Sequence, residues 1–186
     1  MKRGILFLLL GGCTITFQRG DTLRKGEMEQ VFGYTTGENI EYYVLYGLTG
    51  ITDIGAGIDM FFFLYAPAGC YPFIHGKQKV FQFNNISLVL YGKAGLPVYS
   101  WEPELYYYQW DALLGIKGEE GILTCGVGEL YTPLYWYDLW EGFVTPKPIP
   151  HFYFSFLFNQ KFYIEWNFHP GFRLHTIGVG IRGELK

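Results

Sequence analysis

The sequence predicts an all-β protein, an antiparallel up-and-down transmembrane β-barrel of about ten strands, with eight as the alternative count. Three observations predict it. Residues 151–169, HFYFSFLFNQKFYIEWNFH, alternate with period two on either side of an Asn-Gln-Lys turn, which is a strand signal rather than a helix signal. Charged residues make up 17% of the chain and aromatic residues 20%. An ordinary soluble domain carries roughly 25% charge, so little remains here to cover a water-facing wall. Beyond the N-terminus no apolar run approaches the ~18 residues of a membrane-spanning helix. The net charge of −3 gives no reason to expect a nucleic-acid partner.

The first element is an export signal over residues 1–12. Lys2 and Arg3 precede a short apolar stretch at residues 5–10, too short to span a bilayer. Its end, Leu10-Gly11-Gly12-Cys13, resembles the bacterial lipobox, which implies cleavage before Cys13 and lipidation of that residue. A plain signal peptide is the alternative. Residues 13–25 are polar and patternless and are expected to form a periplasmic tether, leaving residues 26–186 as the barrel. Cys70 and Cys125 are the remaining cysteines, and no spacing among Cys and His suggests a metal site or another cofactor.

Strands are expected at 27–36, 40–48, 52–65, 75–84, 86–94, 103–115, 120–131, 150–158, 160–169 and 173–184. Lengths of about 9–12 residues suit tilted membrane-crossing strands. Connections at one end are tight, at residues 49–51, 85, 116–119 and 159. At the other end they include the longer segments 66–74, 95–102 and 132–149, rich in Pro, Gly and aromatic residues. Turns on one side and loops on the other is the asymmetry of outer-membrane barrels, with both termini on the periplasmic side.

The stretches YYVLYGLTGITDIGAGIDMFFFLY (42–65) and KQKVFQFNNISLVLYGKAG (77–95) resemble small bacterial outer-membrane β-barrel proteins. The resemblance is carried by a YGLT-x-x-x-D-x-G hairpin, here Tyr46, Gly47, Leu48, Thr49, Asp53 and Gly55. It implies residence in the bacterial outer membrane, with membrane lipids and the barrel-assembly machinery as partners. It assigns no activity and no functional residues.

Each strand separates into two faces. Ile54, Ala56, Ile58 and Met60 oppose Asp53, Gly55, Gly57 and Asp59, and Ile177, Val179 and Ile181 oppose Thr176, Gly178, Gly180 and Arg182. The apolar face is read as lipid-facing and the glycine-rich, polar face as the lumen. Asp59, Lys93, Asp111, Glu165 and Arg182 then form a lumen polar network, paired because lone buried charge is costly. Tyr42, Tyr43, Tyr46, Tyr106, Tyr107, Tyr108, Trp110, Tyr131 and Trp136 are expected to form interfacial girdles. The alternative is a soluble lipocalin-like barrel or sandwich with an aromatic core.

Chemistry is sparse. His75, His151, His169 and His175 are expected near the loop ends of their strands, with His175 facing lipid. Ser155 shares a face with His151, which makes the two a candidate rim hydrolase pair acting on lipid A or phospholipid. Histidines at a wet rim need no such role. The leading expectation is a structural or loop-presenting barrel, and a narrow pore is the transport alternative.

Overall fold

A computed structural model describes residues 17–36, 39–63, 66–96, 99–100, 107–131, 137–138, 142–143, 148–170 and 174–185. The ten barrel strands are β1 (Met28–Thr35), β2 (Asn39–Gly47), β3 (Thr52–Phe63), β4 (Ala66–Phe83) and β5 (Ile86–Gly95). They continue as β6 (Tyr107–Lys117), β7 (Gly121–Tyr131), β8 (Ile149–Phe158), β9 (Phe162–His169) and β10 (Leu174–Leu185). Each pairs antiparallel with the next, and β10 returns to β1, from Met28↔Leu185 to Thr35↔Gly178, closing the barrel. Closure leaves no strand edge unpaired along the barrel's height. Tyr99–Ser100 adds a short ladder to β4, and Tyr137–Asp138 pairs with Gly142–Phe143 as a separate ribbon.

Period two decides which side chain points where. In β9, Tyr163, Glu165 and Asn167 are buried in the lumen while Phe162, Ile164 and Trp166 stand on the outer face. The same alternation puts Phe154 outside against Trp166 and Ser155 inside opposite Glu165. Ile54, Ile58, Leu90, Leu114, Val127, Ile177 and Val179 continue the exposed apolar surface around the barrel. Among the described residues, this belt is interrupted near its loop end by Glu129, which accepts a hydrogen bond from Trp110 Nε1. Between β8 and β9 the turn is made by Asn159 (φ 46°) and Gln160 (φ 57°), the mirror-image geometry that matches strand twist.

Three sequence expectations are corrected. Residues 66–74, expected to form a loop, are the first half of β4. Pro67 falls at a register shift against β3, where the ladder is already irregular. Pro72 caps the β4–β5 ladder: its carbonyl accepts from Leu96, so its missing N–H removes only a terminal bond. Tyr43 is not a girdle residue, because Tyr42 already takes the outward position and alternation turns its neighbour into the lumen. Tyr42, Tyr46 and Trp110 are on the outer face, where Tyr108 and Tyr131 also stack on each other. Tyr106 and Trp136, like the expected strand start at 103–106 and the signal with Cys13, lie outside the described residues, and the side chain of Tyr107 does too.

The third correction concerns the expected tether. Its described part, from Phe17 onward, does not hang free. Phe17, Gln18 and Leu23 are at most 1% exposed and lie inside the barrel. This segment is a plug.

Candidate functional site in the barrel lumen

The plug enters at the turn end, where Gly26 N donates to Gly47 O and Gly47 N to Glu27 O. From there it runs into the lumen, and the wall reads its main chain. Leu23 N donates to the Asp53 carboxylate, Lys77 Nζ to Asp21 O at 3.1 Å, and Gly20 N to Thr124 Oγ1 at 2.8 Å. Ser87 donates to Gly20 O, Tyr153 and Ser155 both donate to Gln18 O, and Tyr43 donates to Phe17 O at 3.0 Å. The ten-stranded wall would not need such donors to stay closed; these groups satisfy a peptide that has no strand partner of its own.

Glycines shape the space. A Cβ on Gly20 would lie 2.5 Å from Gly115 Cα, and a Cβ on Gly115 would collide with Gly20 O, so the two backbones touch directly. Gly33 and Gly180 flank the Phe17 ring, which also meets Tyr163 edge-on at 6.3 Å. Arg19 joins Glu29 at 3.6 Å, and Arg182 reaches the same carboxylate at 2.6 Å from the closing strand. At the turn end Asp21 pairs with Lys79 at 2.9 Å. Burial alone would raise the Asp21 carboxyl, but hydrogen bonds from Lys79 and the Thr22 amide, with the Lys79 charge, hold it below its ordinary value.

The half of the lumen nearer the loops is polar. Lys93 Nζ bridges Asp59 at 2.8 Å and Glu41 at 3.2 Å, and sits 3.9 Å from the centre of the Phe73 ring. His151 Nε2 meets Asp111 Oδ1 at 2.8 Å, with Gln109 donating to the other Asp111 oxygen at 2.7 Å. Asn167 donates to Glu165 at 2.8 Å. Asp59, Lys93, Asp111, Glu165 and Arg182 are thus all in the lumen, but not as one group. Arg182 belongs with the plug near the turn end, whereas the others lie above it. Sequence reasoning put Asp53 on the lumen face without naming it in the network, and missed Arg19, Glu29, Glu41 and Lys77. Except for Arg19, the available signal was strand phase: Glu29 with Val31, Glu41 with Tyr43, and Lys77 with Phe73.

No family model matches the chain, and no curated protein matches it.

Among the described residues the histidines do not assemble. His75 sits mid-strand because β4 starts early, and its ring packs against Tyr43 at 4.7 Å and Tyr91 at 6.0 Å. His175 stands on the outer face, stacked on Phe168 at 4.7 Å. The side chain of His169 lies outside the described residues. Four residues of extended strand hold His151 and Ser155 about 13 Å apart along β8, and Ser155 is engaged by Tyr153 and Gln18. That pair is not a nucleophile with its base. Among the described residues no group of three or more His, Cys, Asp or Glu is arranged to hold a metal. Cys70 and Cys125 are both free thiols.

Proposed function

We propose that this protein is a small bacterial outer-membrane barrel with a structural or loop-presenting role, embedded with its turn end and N-terminus on the periplasmic side. The observation that carries the reading is the inversion of its two faces. The outer wall exposes Ile54, Ile164 and Ile177 at 50–53%, while Glu29, Glu41, Asp53, Asp59, Lys93, Asp111 and Glu165 are buried inside. A water-facing wall with that composition would be a large aggregation-prone surface, whereas lipid is its natural solvent. Outer-membrane lipids and the barrel-assembly machinery are the partners this reading implies. The filled lumen favours a plugged barrel over a narrow pore, and the separation of His151 from Ser155 argues against a rim hydrolase.

The deciding experiment is membrane fractionation with gel mobility before and after boiling. The expected outcome is recovery in the outer-membrane fraction with a heat-dependent shift. A protein recovered in the soluble fraction, without the shift, overturns the reading.

The export signal and acylation at Cys13 belong to the same proposal. Cys13 stands four positions before the buried Phe17, about 14 Å of extended chain at most. Acyl chains and a filled lumen therefore coexist only where lipid lies within that reach. Labelled palmitate is expected to enter the protein, and Cys13→Ser to abolish the label while the heat-dependent shift is kept. Label that survives the substitution would place the anchor elsewhere.

A further inference from the structure

The wall around residues 17–23 is more specific than a filled lumen requires. Main-chain groups of Phe17, Gln18, Gly20, Asp21 and Leu23 are each met by a side chain from the wall. Gly20 is held from both sides, its N–H by Thr124 and its carbonyl by Ser87, and Gly115 leaves no room there for any Cβ. By contrast, the Gln18 amide group makes no hydrogen bond among the described residues. Side chains that take up a peptide's main-chain groups give affinity, and a position with no room for a Cβ adds selectivity.

We propose that the turn-end half of the lumen is a peptide-binding site for a single short segment that bends at a central glycine, and that residues 17–23 are its built-in ligand. The flanking features define the ligand class: an aromatic residue three positions before the glycine, in the Gly33/Gly180 recess; a basic residue just before it, facing Glu29; and an acidic residue just after it, facing Lys79. Occupancy in cis keeps this site closed. The inference concerns the lumen alone and is tested in detergent micelles, so it stands or falls separately from the membrane reading.

The test uses the full chain with Cys13, Cys70 and Cys125 replaced by Ser and a reporter thiol at Gln18→Cys. In this parent the thiol is expected to resist maleimide. Adding Gly20→Ala should expel the segment and speed labelling at least ten-fold, with the β-sheet circular dichroism spectrum of the parent retained. A fluorescent peptide, FQRGDTLR, should then bind the Gly20→Ala protein at least ten-fold more tightly than the parent, and FQRADTLR should not bind. Adding Gly115→Ala to the parent instead should expose the thiol equally but bind neither peptide, because the obstruction is now in the wall. Ser87→Ala with Thr124→Val removes the two hydrogen bonds to Gly20 without adding volume, so it reports even if an alanine variant fails to fold. In that protein labelling should rise by a few-fold. Labelling that stays at the parent's rate in every folded variant, or peptide binding that ignores the glycine, overturns the proposal.

Discussion

Asp21 is where the plug is tied to the wall by charge at the water-accessible end of the lumen. Its carboxyl is held below the ordinary value mainly by Lys79, against the opposing effect of burial. A group whose folded value is depressed stabilises the fold above its unfolded value, near 3.8 here, and loses that contribution as pH falls through the lower folded value. Asp21→Asn is therefore expected to lower stability by about 1 kcal/mol at pH 7, with the difference from wild type beginning to shrink below about pH 4 and vanishing only once pH has fallen through the depressed folded value. Paired thermal melts from pH 7 down through that value check this; a difference that persists or grows in acid refutes it. Lys93 is a harsher case. It neutralises Asp59 and Glu41 in a buried setting. Lys93→Met leaves both carboxylates beside an apolar side chain and is expected to cost about 3–5 kcal/mol, measured by denaturant unfolding of the micelle-bound protein.

The β8–β9 hairpin is the element whose surroundings separate lipid from water. Ile164 projects from its middle on the outer face and is half exposed. In liposomes Ile164→Lys is expected to cost about 2–4 kcal/mol if that face meets acyl chains. On a water-facing strand the same change would fall within about 0.5 kcal/mol of neutral. Ser155 is a poor control for the inner face, since a lysine there would displace Gln18 of the plug. This hairpin was legible in the sequence because alternation continues without a break from residue 152 to 158 and from 162 to 168, and only one phase can be apolar. The loop-end half of β4 was not legible. Pro67, Gly69 and Pro72 look like loop residues, and whether a proline is tolerated depends on which side its absent N–H would have faced. The plug was harder still, because a short segment bound through its main chain carries no periodicity. Its trace was indirect: Gly180 was read as an inward glycine without revealing what it makes room for, and Gly33 and Gly115, which also crowd the segment, were not singled out.

At the scale of the whole molecule, a barrel sealed by its own chain is expected to pass no steady ion current in planar bilayers, and sustained current from the intact protein would contradict a filled lumen. The long-range contacts carry a temporal consequence. Gly20 and Thr124 are 104 residues apart, Gln18 and Tyr153 135, and Glu29 and Arg182 153. Contacts this distant in sequence form late and slowly. A segment gripped by β2, β4, β5, β7 and β8 is also far easier to enclose than to thread into a finished cylinder. The order of assembly follows: the strands collect around the N-terminal segment, and the β1–β10 seam is sewn last, with Glu29 receiving Arg19 from within and Arg182 from the incoming strand. During refolding, protection of a thiol at position 18 should therefore appear in the same kinetic phase as the fast-migrating gel form. Were the fast form to accumulate first, with the thiol still open, the cylinder would have closed on an empty interior and filled afterwards.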